Sequence, residues 1–107
     1  MIEIDTETPG DWIVCDSPLF AGRLVDLAIS NRRGPVEVEV FVDNTTILSH
    51  RCPDPPCHES FAIDSRWGRK QMTVVVRDSS FRSQSWSSEL GDLVDDLGAG
   101  TAGGRED

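Results

Sequence analysis

The sequence predicts an all-β chain of about seven short antiparallel strands stacked in two layers, and three observations predict it. Val36, Val38, Val40 and Val42 recur at every second position with Glu37 and Glu39 in the other phase, and a period of two sorts apolar side chains onto one face of a pleated strand. The alternation returns at Val25, Leu27 and Ile29 and again at Met72, Val74 and Val76. Turn formers punctuate the chain at spacings of roughly eight to twelve residues, the signature of a β-sandwich or barrel. No helical periodicity lies between the strands, which excludes a parallel α/β sheet.

Taken in order, residues 1–10 are acidic, end in Pro9-Gly10 and read as a loose lead-in. Residues 11–15 (DWIVC) form a first short strand, and residues 24–30 a second, with Val25, Leu27 and Ile29 inward. The run Asn31-Arg32-Arg33-Gly34-Pro35 turns the chain into the valine strand, 36–42, and residues 47–51 return antiparallel to it across 43–46. The segment Cys52-Pro53-Asp54-Pro55-Pro56-Cys57 cannot extend a ladder, because its three prolines lack an N–H. Residues 59–64, 70–77 and 81–87 supply the last three strands.

The tail changes character. Leu90, Leu93, Val94 and Leu97 fall at i, i+3, i+4 and i+7 with acids between them, which predicts a short amphipathic helix over 89–98. Ser87 or Ser88 caps it and Gly98 ends it. Alone it is too short to persist in water, so it is expected to dock on its own domain or on a partner. The chain thus divides into a lead-in (1–10), a strand domain (11–88), an acidic helix (89–98) and a glycine-rich tail (99–107).

With 107 residues the chain suffices for one domain with one core. Nineteen acids against ten bases give a net charge of −9, and Lys70 is the one lysine beside nine arginines. Two origins fit this balance: a GC-rich coding sequence, or a surface adapted to molar salt. Either surface repels nucleic acid and anionic lipid, which argues against both as partners. No apolar run reaches the ~18 residues of a membrane span, and the acidic start is no secretory signal. A virion or cytoplasmic location is expected, with a fragment of an extracellular protein as the alternative.

Three stretches carry a resemblance: VEVFVDNTTI at 38–47, SFAID at 60–64 and WGRKQMTVVVRDSSFRSQS at 67–85. They resemble the bacterial-type immunoglobulin-like (Big-like) domain over residues 11–88. The resemblance implies an immunoglobulin-like antiparallel β-sandwich whose members serve as spacers, adhesive modules or decorations of enzymes and viral particles. The chain lacks tyrosine and the Cys…Trp…Cys spacing of antibody domains, so an antibody-type receptor is not implied.

One cluster offers chemistry: His50, Cys52, Cys57 and His58. If the two cysteines face each other across a four-residue hairpin loop, a disulfide closes it, with His50 and Glu59 alongside and His58 on the opposite face. Free thiols are a second reading. A Cys2His2 zinc site is the third, its fourth ligand requiring a bulge or Glu59. Cys15 reads as a small apolar core residue. Trp67 and Trp86 are the candidate exposed aromatics, as sugar-stacking platforms or as core residues covered from outside. No phosphate loop, nucleophile elbow or zinc-protease motif occurs.

The sequence therefore predicts a non-enzymatic structural or interaction module that needs no cofactor. Its expected partners are proteins, through self-assembly or within a larger particle such as a virion decoration or tail accessory. An excised adhesive or carbohydrate-binding module and a small zinc protein are the alternatives.

Overall fold

The valine alternation does what its period requires. In the computed structural model, which describes residues 1–16, 18–30 and 34–92, Val36, Val38 and Val40 are fully buried while Glu37 and Glu39 face outward. Among the described residues ten strands follow one another: β1 (Ile2–Ile4), β2 (Ile13–Cys15), β3 (Phe20–Ala21), β4 (Leu24–Ile29), β5 (Val36–Val42), β6 (Thr45–Cys52), β7 (Cys57–Ala62), β8 (Gln71–Arg77), β9 (Ser83–Glu89) and β10 (Gly91–Asp92), with a 3-10 turn at Ser65–Trp67. No helix among the described residues is long and apolar enough to cross a membrane.

The strands form two four-stranded sheets, ordered β2-β1-β4-β7 and β6-β5-β8-β9, and a short parallel pair of β3 with β10. Ile2, Ile4, Leu27 and Ile29 of the first sheet and Val38, Val40, Val74 and Val76 of the second belong to one hydrophobic cluster. The central pair β5–β8 is in register from Glu37–Arg77 to Val42–Met72. In the hairpin β5–β6, Val40 pairs with Leu48 but Phe41 with Thr46, so Ile47 is the extra residue of a bulge. A two-residue turn suffices here, since Asp43 takes a left-handed φ of 52° that a short polar side chain tolerates.

Several expectations are corrected. Residues 2–4 are not a loose lead-in: Ile2 and Ile4 are fully buried, and β1 runs parallel to β4, pairing Ile2 with Leu27 and Ile4 with Ile29. The strands are therefore not all antiparallel. The helix expected over 89–98 does not form in its described part. Gln84, Trp86 and Ser88 set an inward phase of period two that Leu90 continues into the core, where it is 1% exposed. The Leu90 N–H donates to the Lys70 carbonyl and the Arg69 N–H to the Leu90 carbonyl. Leu90 thus had two competing periodicities, and the strand register won because the core accepts its side chain. Leu93, Val94 and Leu97, with the rest of 93–107, lie outside the described residues.

Strand register also sorts the loops to two poles. One pole carries residues 5–12, 53–56 and 78–82, beyond Ile4, Ile29, Val36 and Arg77. The other carries Leu24 with its pair partner Ala62, the turn at 43–44, and Leu90.

Candidate functional site

The first pole is built around the loop that links β8 to β9. Strand β8 is fixed by its buried Met72, Val74 and Val76, and the chain reverses over residues 78–82 on a single carboxylate. Asp78 Oδ1 accepts the backbone N–H of Ser80 at 2.9 Å and of Arg82 at 3.0 Å, while Oδ2 accepts Arg82 Nε at 2.9 Å and Nη2 at 2.7 Å. The Asp78 N–H donates to the Arg82 carbonyl and the Phe81 N–H to the Asp78 carbonyl. Burial of Asp78 opposes its charge. Even so, the hydrogen bonds from Arg82 and Ser80, with the Arg82 charge, hold its carboxyl below the ordinary carboxylate value.

This clamp leaves Phe81 with a left-handed φ of 63° and 87% of its surface exposed. A large aromatic in that backbone region is uncommon. The neighbouring loop braces the same tip. Arg82 lies over the Trp12 ring, 5.4 Å from its centroid, a cation–π distance. The Trp12 backbone N–H donates to Gln84 Oε1 at 2.9 Å, and Gln84 Nε2 donates to the Gly10 carbonyl at 2.8 Å. Between hairpin and loop lies an open polar depression of about 580 Å³, walled by Thr6, Thr8, Ser79, Ser80 and Arg82.

The cysteine cluster lies at the same pole, on the edge strands β6 and β7 of the two sheets. Cys52 and Cys57 form a disulfide with their Cα atoms 6.1 Å apart. The hairpin expected around them is absent. Cys52 pairs with Val36 on β5 and Cys57 with Ile29 on β4, so residues 53–56 cross from one sheet to the other. Three prolines without N–H groups deny that segment a ladder, and the bridge fastens the edge strand of one sheet to that of the other. Gly34 packs beneath this crossing: a Cβ there would collide with the Pro53 carbonyl oxygen and sit 2.7 Å from Pro55 Cδ.

His50 and Glu59 lie beside the bridge, as the alternation implied. His50 Nδ1 is 3.4 Å from Glu59 Oε2, and the buried Nε2 has no hydrogen-bond partner among the described residues. His58 is exposed on the opposite face, paired with Ala28. The two sulfurs are spent in the bridge and His58 points away, so His50, Cys52, Cys57 and His58 do not converge as zinc ligands. Among the described residues no cluster of histidine, cysteine, aspartate or glutamate has metal-binding geometry. Cys15 is half-buried against the core.

Trp67 and Trp86 are not open platforms. Both are half-buried and packed against the core. Trp86 pairs with Val74 and so shares the inward face of its sheet, the covered one of the two settings the sequence left open for it. Phe81 is the exposed aromatic instead. The sequence placed it in the last strand; the readable signal was the turn-former run Asp78-Ser79-Ser80 immediately before it. Asp64, at the start of the 3-10 turn, is lowered to about 2 by hydrogen bonds from the Arg66 side chain and backbone, which makes it a local cap.

Comparison with protein-family models, with curated proteins and with solved structures finds no match.

Proposed function

We propose that the chain is an immunoglobulin-like β-sandwich that works by binding rather than catalysis, as an interaction module of an assembled particle such as a virion decoration or tail accessory. Strand order supports the architecture. In immunoglobulin-type sandwiches the second and fifth core strands share one sheet, while the third, sixth and seventh share the other. Here β4 and β7 share one sheet, and β5, β8 and β9 share the other with β6 at its edge.

The observation that carries the functional reading is Phe81. A four-bond carboxylate clamp, a cation–π contact and a glutamine brace all serve to hold one apolar ring in water. Exposed aromatics on rigid elements are the side chains that dominate protein interfaces, since little conformational entropy is lost when they bind. The acidic surface, net −9, favours a protein partner over nucleic acid.

The test is isolation from the native source, followed by size-exclusion chromatography with light scattering. The wild-type chain is expected in a complex far larger than a monomer, and Phe81→Asn is expected to leave it. A chain that runs as a free monomer from its source, with or without Phe81, contradicts the proposal.

A further inference from the structure

The hairpin tip between β5 and β6, at the pole opposite Phe81, carries the triplet Asn44-Thr45-Thr46. An asparagine followed two residues later by a hydroxyl, with no proline between, is the acceptor pattern for N-linked sugar. Of the two asparagines in the chain it is the one so placed, since Asn31 is followed by two arginines. We propose that Asn44 carries an N-linked oligosaccharide.

The geometry of the tip supports this on three counts. Asn44, Thr45 and Thr46 are all exposed, as a bulky polar adduct requires. The turn itself does not call for Asn44: its left-handed residue is Asp43, at φ 52°. Asp43 also braces the tip. Its N–H donates to the Gln71 carbonyl at 2.8 Å, and its carboxylate accepts the Gln71 N–H at 3.2 Å and Lys70 Nζ at 3.4 Å. Asn44 is therefore presented on a fixed two-residue turn rather than spent in holding it. Thr46 pairs with Phe41 across the hairpin. Phe41 alternates with the buried Val40 and Val42, so this pair lies on the outer face of the sheet. The Phe41 ring, three residues before Asn44, is only half-buried. An aromatic beside the acceptor offers the C–H face of the first sugar an apolar surface to cover.

The Cys52–Cys57 bridge points independently to the compartment this needs. Disulfides persist where the surroundings oxidise thiols, outside the cytosol, and sugar is transferred to asparagine on that same side of the membrane. Of the locations the sequence left open, the proposal favours the extracellular one. The step is a group transfer from a lipid-phosphate-linked oligosaccharide, catalysed by a membrane transferase. The Asn44 amide nitrogen bonds to C1 of the first sugar and the C1–O bond to phosphate breaks. The lipid phosphate leaves with the electron pair, and the amide proton passes to a base of the transferase. Asn44 immediately precedes β6, the edge strand of its sheet. A sugar there covers the start of that edge against pairing with another chain, and it leaves the Phe81 pole uncovered.

The test is the mass of one peptide. The chain is isolated from its native source and cut with trypsin, which releases residues 34–51 with Asn44 inside. Tandem mass spectrometry is expected to find this peptide heavier by a run of sugar residues and to place them on Asn44. In variants produced in the same source, Asn44→Gln and Thr46→Ala should each lose the adduct entirely, whereas Thr46→Ser, which keeps the hydroxyl, should retain it. All three changes fall at exposed positions, and urea unfolding verifies that the variants fold. A native peptide of unmodified mass overturns the proposal without recourse to any variant. So does an adduct on another residue of the peptide, or one that survives Thr46→Ala. If Asn44 is unmodified yet Phe81→Asn still leaves its native complex, the sugar proposal fails and the interaction reading stands. If Asn44 carries sugar and the chain runs as a free monomer, the reverse holds.

Discussion

Replacing Phe81 with asparagine is expected to stabilise the fold while removing the proposed binding anchor. In the left-handed region a side chain with a Cβ carries strain of roughly 1–2 kcal/mol, which asparagine, able to hydrogen-bond locally, largely avoids. Against this stands the little burial that Phe81 enjoys. Only about an eighth of its surface is covered, so roughly 25 Å² is lost, worth about 0.6 kcal/mol. The Phe81 N–H to Asp78 carbonyl bond is backbone to backbone and survives. The balance is a gain of about 0.5–1 kcal/mol, or roughly 2–6 °C in Tm for a domain of this size. Urea unfolding monitored by tryptophan fluorescence measures it, with size-exclusion run on the same samples. A loss of more than about 1 kcal/mol would mean that the ring packs the hairpin in solution instead of standing free, and the binding argument would lose its foundation.

Asp78→Asn should cost about 2 kcal/mol at neutral pH, because Arg82 loses its charged acceptor and two loop N–H groups depend on one remaining oxygen. Since folding lowers the Asp78 pKa beneath its ordinary 3.8, its contribution is complete above that value and is lost as pH falls through the folded pKa. The gap between wild type and variant should therefore close in acid urea titrations. Replacing Cys52 and Cys57 together by alanine should cost about 2 kcal/mol, the loop-entropy value for so short a ring, in denaturation without reductant. Gly34→Ala should cost about 1–3 kcal/mol in the same assay, since the crossing at Pro53 and Pro55 must shift to admit a methyl group.

Much of the fold was legible because the residues that determine it act locally. The alternations at Val36–Val42 and at 72–76 became β5 and β8, and proline chemistry stopped the ladder after Cys52. Ile2 and Ile4 were missed because a strand of three residues offers too few repeats to register a period. Leu90 was misread because it satisfied two periods at once, and only a waiting core could choose between them. The cysteine bridge was among the sequence readings, but its setting was not: the loop that looked like a hairpin tip joins two sheets.

What the sequence determined by itself was the sorting of side chains: period two assigns each strand an inner and an outer face before any partner is known. What tertiary structure alone decided was which ends meet. Phe81 became an exposed tip because Asp78 captured both Arg82 and the loop backbone, and Trp12, distant in sequence, came to lie beneath that guanidinium. Met1, Phe20 and Leu24, apart along the chain, line one depression at the opposite pole: the β1–β4 register carries Met1 toward Leu24, and Phe20 sits on β3, paired with β10. Alternation is a property of neighbours along the chain, whereas a site is a property of neighbours across it, and strand pairing is what converts one into the other.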